Sequence, residues 1–218
     1  MNSPVRLWLR RLAPVPAGAD AMQRARWRKQ AARAALLERL ATELPGFSPS
    51  QLLRDPLGKP SLAPPFAHLT VNASDSGDWH LVGLAEGPAL GVDIECVLPR
   101  PTWRALAQRW FDPAELEWLD SLDDPEHGFL RLWSLKEALF KAHGRGLAYG
   151  LHRARFGPSA QGRLVLQRLE GPAAPARQWQ CRELACGSDM VMAVAWQGVE
   201  REVSLQVAQA DMHPHCDG

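Results

Sequence analysis

The chain has 218 residues, of which 46% are hydrophobic and 22% charged, an ordinary balance for a soluble globular protein of one large or two small domains. Its 25 basic and 24 acidic side chains leave a formal charge of +1, yet residues 1–54 hold ten basic against three acidic groups, and the rest of the chain is net acidic, which argues against a uniformly basic nucleic-acid coat. No apolar run reaches the roughly 20 residues that span a membrane, and Arg6, Arg10 and Arg11 interrupt the first apolar stretch, against a signal peptide.

Val5, Leu7 and Leu9 alternate with Arg6, Trp8 and Arg10 and predict an opening strand, broken by Pro14, Pro16 and Gly18. Asp20 can cap a long helix running to Leu44, with Trp27, Ala31, Ala34, Leu37, Ala41 and Leu44 as its apolar face. Arg26, Lys29 and Arg33 fall at i, i+3 and i+7 and share another face of it. A Pro-rich connection over 55–65 leads to three strands, at about 66–73, 79–85 and 89–97, with a turn at Ser76-Gly77-Asp78. Asp112-Pro113-Ala114-Glu115 has the cap, proline and glutamate of a helix start. A second long helix runs from Glu126 to His143, stopped by Gly144 and Gly146, and strands follow near 163–169, 179–184, 190–196 and 203–208. This order is an α+β pattern. Pro99-Arg100-Pro101 marks the joint between an N-terminal half, 1–99, and a C-terminal half, 100–210, with 211–218 expected as a disordered tail.

Gly91-Val92-Asp93-Ile94-Glu95 places two carboxylates on one face of a strand. Such a pair is either a solvated strand face or, if buried, in need of a cation or a shared proton. Oxygen ligands of this kind suit Mg²⁺. Trp133, Glu137 and Lys141 lie on one helical stripe, where Glu four residues before Lys is also a common helix-stabilising pair. Lysine is scarce, however: 4 residues against 21 arginines, two of them at 136 and 141, so a compact ammonium is favoured there. Lys59 sits in the tight loop Gly58-Lys59-Pro60, and Ser74-Asp75-Ser76-Gly77 forms a small polar turn, which can meet a phosphate or be a plain hairpin. The four cysteines, at 96, 181, 186 and 216, lack metal or redox spacing and read as cytosolic thiols, and the seven histidines show no metal spacing in the body of the chain.

Taken in order, these pieces resemble the 4′-phosphopantetheinyl transferases of the Sfp type. The matching run is Gly58-Lys59-Pro60, the turn from Asn72 to Trp79, Gly91 to Glu95, Phe111 to Glu115, Trp133 to Lys141 and Gly144 to Leu147. The resemblance implies two similar α/β halves in one chain, a pseudo-dimer in which each half is a small antiparallel-rich sheet with a long helix packed on it. It implies transfer of the phosphopantetheine arm of coenzyme A to a serine of an acyl or peptidyl carrier protein by a cytoplasmic, monomeric enzyme, with no nucleic-acid or membrane partner. By motif, Asp93, Glu95 and Glu137 are the implied Mg²⁺ ligands, with Glu137 also a candidate to take the serine proton. Lys141 is the implied catalytic ammonium on the diphosphate. Arg26, Arg33, Lys59, Ser74, Asp75, Ser76 and Lys141 are the implied coenzyme A contacts. One position departs from the pattern: the family turn usually reads Ser-His-Ser-Gly, and Asp75 stands here in place of the His. An anion there repels phosphate unless it is protonated or turned away, so Asp75→His is expected to tighten coenzyme A binding. It also keeps open a second reading, a degenerate relative that binds carrier or nucleotide without turnover.

Overall fold

The computed structural model describes residues 3–144, 150–171, 175–185 and 187–208. Strand β1 (Val5–Arg11) is central in a sheet of order β11-β1-β5-β4, with β4 spanning Leu69–Ser76, β5 Trp79–Glu86 and β11 Val203–Val207. Only the β1–β11 pair is parallel. A second sheet, of order β6-β10-β9, is antiparallel and joins β6 (Leu90–Cys96), β10 (Met190–Gln197) and β9 (Trp179–Leu184).

The two sheets face each other through Val5, Leu7, Leu9 and Leu81 of the first and Val92, Ile94, Met192 and Val194 of the second. Helix α1 (Ala21–Glu43) covers the outer face of the first sheet, where Leu36 and Leu40 meet Trp8, Val82 and Leu84. Helix α4 (Pro125–His143) covers the outer face of the second, with Leu135, Ala138 and Leu139 clustered with Val191, Ala193 and Ala195. Each such leucine, fully buried, contributes about 1.5–3 kcal/mol. The result is the expected α+β arrangement of two small sheets, each with its long helix. The hydrogen bonds cross the chain division at residue 99: β6 pairs with β10, and β11 returns to β1.

The α1 cap is as the sequence suggests, with Asp20 Oδ1 accepting from the Gln23 amide and Gln23 Oε1 accepting from the Asp20 amide. Its buried face differs. Ala32, Ala35, Leu36 and Leu40 are buried, while Ala34 and Ala41 are exposed. Two leucines four residues apart carry more apolar area than the alanines of the expected stripe, and they turn the helix. The expected strand at 66–73 begins later, at Leu69, because the Gly77-Asp78 turn sets the register and pairs Ser76 with Trp79. Elements absent from the sequence reading are α2 (Trp103–Trp110), the short hairpin β2 (Leu52–Arg54) and β3 (Pro60–Leu62), and β7 (Ala154–Pro158), which pairs with β8 (Leu164–Leu169). Helix α3 (Pro113–Asp120) starts on its Asp112 cap as expected. The expected tail at 211–218 and Arg145 to Leu147 lie outside the described residues. Among the described residues no helix is long and apolar enough to cross a membrane.

One glycine sets the distance between the two chemical motifs. A Cβ on Gly91 would lie 2.0 Å from the Ala138 carbonyl oxygen and 2.4 Å from the Ala142 nitrogen. Backbone atoms cannot rotate away, so only glycine lets β6 approach α4 this closely. The strand bearing Asp93 and Glu95 thereby reaches the helix bearing Glu137 and Lys141.

Candidate active site

Strands β4 and β6 belong to different sheets and are stitched by side chains. Asn72, Ser74 and Ser76 alternate along β4 and so share one face. Asn72 Oδ1 accepts from the Val92 amide at 2.9 Å, and Ser74 Oγ donates to Asp93 Oδ1 at 2.9 Å. Ser76 Oγ donates to Glu95 Oε2 at 3.1 Å and accepts from the Cys96 amide at 3.0 Å. Ser74 and Ser76, implied by motif as coenzyme A contacts, are thus engaged with the β6 carboxylates.

Asp93 is 3% exposed, and its Oδ1 accepts from Lys141 Nζ at 2.7 Å as well as from Ser74. Lys141 Nζ also donates to Ser74 Oγ at 2.7 Å. Glu137, one turn before Lys141 on α4, is buried. Burial first, then the neighbouring Asp93 charge, pushes its carboxyl up to about 7; Lys141 opposes this and Glu95 adds to it. In metal-free protein the native state therefore holds a proton that the unfolded chain has released between about pH 4.5 and 7. Stability is expected to fall as pH rises through that window, by up to about 3 kcal/mol from this group, and to level off above it. Urea titrations in chelator at pH 5 and pH 8 measure the difference, which Glu137→Gln should flatten.

The donor set fits a hard divalent cation. Asp93 Oδ2 and Glu137 Oε1 are buried and have no hydrogen-bond partner among the described residues. Two orphaned carboxylate oxygens cost free energy unless a cation or proton meets them. Glu95 behaves differently, since its Oε2 is held by the Arg100 guanidinium and Ser76. Among the described residues no three His, Cys, Asp or Glu side chains form a ready metal cage. Mg²⁺ needs none: it commonly takes one or two carboxylates and fills its shell with phosphate and water.

Lys141 also lines a cleft of about 670 Å³ whose walls include Lys29 and Arg33 of α1, Arg54, and Lys59 of the Gly58-Lys59-Pro60 loop. Arg26 is exposed one turn earlier on α1 and is not among the lining residues. Lys59 Nζ donates to the Ala142 carbonyl at 2.6 Å and so caps the end of α4; burial lowers its pKa, with Asp55 opposing. Gly144 closes that helix with φ at 85°, the left-handed turn glycine favours. Asp75 lines the cleft too, but not as a free anion, because its carboxylate is bonded to His80 of β5. His80 and Arg100 carried no signal in the motifs. The pairing of 75 with 80 does follow by counting outward from the Gly77-Asp78 turn. A second groove, of about 510 Å³, lies beside β9 and is lined by neither carboxylate pair nor Lys141; its Arg131 and Arg182 are tied to Glu183 and Glu200.

The family model described as the 4′-phosphopantetheinyl transferase superfamily matches residues 89–195. The chain is 35% identical over 136 residues to the 4′-phosphopantetheinyl transferase AcpT of Escherichia coli, covering 61% of this chain and 67% of that one. It is 39% identical over 107 residues to the 4′-phosphopantetheinyl transferase psf-1 of Bacillus pumilus, covering 46% of this chain and 44% of that protein. It is 38% identical over 109 residues to the 4′-phosphopantetheinyl transferase HetI of Nostoc, covering 47% of this chain and 46% of that protein. The chain thus matches less than half the length of the Bacillus and Nostoc proteins.

Proposed function

Because this chain belongs to the 4′-phosphopantetheinyl transferase superfamily, we propose that it transfers the phosphopantetheine arm of coenzyme A to a serine of an apo acyl or peptidyl carrier protein. The observation that carries this reading is the meeting of the buried Asp93 and Glu137 around Lys141, which itself lines a cleft walled by Lys29, Arg33 and Lys59. Cations suit the phosphates of coenzyme A, and the buried carboxylates suit the divalent ion that accompanies a diphosphate.

The carrier serine Oγ attacks the phosphorus that bears the pantetheine arm. A new P–O bond forms, and the bond to the bridging oxygen breaks. The products are the holo carrier and adenosine 3′,5′-bisphosphate. Asp93 and Glu137 would hold Mg²⁺, with Glu95 released from Arg100 as a third ligand. When bound, the ion supplies positive charge to the phosphate oxygens. Lys141 places its ammonium where charge grows on the leaving group. Glu137, or a water beside it, is a candidate to take the serine proton. Ser74 holds Asp93 and Lys141 together, and Lys59 fixes the helix end from which Lys141 projects.

Incubation with coenzyme A, Mg²⁺ and an apo carrier protein tests the reading by mass spectrometry of the carrier. A gain of one phosphopantetheine arm, abolished by chelator, is expected. Retained carrier binding without any gain would instead establish the degenerate reading, and a gain that survives chelation would overturn the metal assignment.

A further inference from the structure

Among the described residues lining the cleft, Asp75 is the one carboxylate, and it stands among Lys29, Arg33, Arg54, Lys59 and Lys141. It is a cross-strand partner of His80, and its Oδ1 is hydrogen-bonded to His80 Nδ1. The two side chains differ sharply in exposure, 48% for Asp75 and 2% for His80. His80 shares its strand face with Val82 and Leu84, which sit in the apolar cluster under α1. Its Nε2 is buried and has no hydrogen-bond partner among the described residues. An aliphatic side chain would fill that position without an orphaned nitrogen, so the imidazole is costly as mere packing. What it does make is the bond to Asp75.

We propose that His80 is a positioning residue that turns the Asp75 carboxylate and holds it by a hydrogen bond, so that an anionic ligand can enter a cleft that would otherwise present it a free negative charge. This rests on the reading of the cleft as the coenzyme A site. The buried ring donates its Nδ1–H to Oδ1 and fixes that oxygen toward β5. Arg10, the β1 neighbour of His80, is already tied to Glu38, so it does not substitute for the ring.

The test is calorimetric binding of coenzyme A and, separately, of inorganic pyrophosphate to four proteins. His80→Phe should weaken both ligands by about tenfold, because the carboxylate is then free to swing into the cleft as a like charge. Adding Asp75→Asn to His80→Phe should restore affinity to within about threefold of wild type, since no carboxylate is left to repel. His80→Gln keeps an N–H for Asp75 and should stay within about threefold. A purely structural role for His80 gives no restoration by Asp75→Asn, and that result overturns the proposal. So does a loss in His80→Gln equal to that in His80→Phe, or an unchanged His80→Phe. If wild type binds pyrophosphate but not coenzyme A, the coenzyme A reading fails while the pair is still read out by pyrophosphate. If it binds neither, both fail.

Discussion

Glu137→Gln is expected to lower phosphopantetheine transfer by at least about a hundredfold to a thousandfold, the loss typical of removing a charge-stabilising group from an active site. Gln keeps the shape of Glu and removes both its charge and its capacity to accept a proton. The same substitution should make metal-free protein more stable at pH 8, because a carboxylate held against burial and the Asp93 charge is no longer ionised there. Activity and stability therefore move in opposite directions. Carrier mass gain reads the first and urea denaturation in chelator the second. A variant that loses both has simply folded badly, and one that keeps transfer removes Glu137 from the chemistry. Stabilisation of wild type by added Mg²⁺, seen as a rise in Tm, should be small or absent in the variant.

Lys136→Met should cost about 3–5 kcal/mol of folding stability, the penalty for stranding the partner of a fully buried ion pair. Lys136 and Glu115 are both 0% exposed at the side chain, with Nζ and Oε2 2.8 Å apart. Lys136 also donates to the Leu151 and Ala154 carbonyls and stands over the Phe111 ring. Glu115 accepts from the Asp112 amide and the Phe156 amide, both at 2.8 Å. The ammonium thus ties α4 to α3 and to the chain entering β7. Burial lowers its pKa and Glu115 opposes that, the balance expected of a strut. Urea denaturation of Lys136→Met, Glu115→Gln and the double variant measures the pair; the double should cost less than the sum by about 1–3 kcal/mol. Transfer by the folded fraction should persist, since Lys136 faces the core and not the cleft. Loss of turnover in fully folded protein would falsify the structural role.

These two residues show how far linear reading reaches. Lys136 and Glu137 are adjacent in sequence and scarce lysine drew attention to the segment, but neighbouring helix positions point about 100° apart. One side chain enters the core and the other the site, and which does which depends on the elements packed around α4. Asp93 and Glu95 likewise share a strand face by periodicity alone, yet different cations separate them: Lys141 holds one oxygen of Asp93 and leaves the other orphaned, while Arg100 holds Glu95. On α1, periodicity found a helix and a basic face but placed the apolar stripe part of a turn away, because side-chain area, not the mere count of apolar positions, decides which face is buried.

By itself the sequence determined the local features: the caps on Asp20 and Asp112, the turn at Gly77-Asp78, the long helices and most strands, and the motifs that resemble the transferase family. Their causes are short-range, within one helical turn or one hairpin. The tertiary structure alone decided that β6 leaves its chain neighbours to pair with β10, that Gly91 admits the α4 backbone, and that cations from α1, the Lys59 loop and α4 wall one cleft beside Asp75. Those outcomes depend on burial and on charges brought together from distant positions, which no single stretch of chain contains.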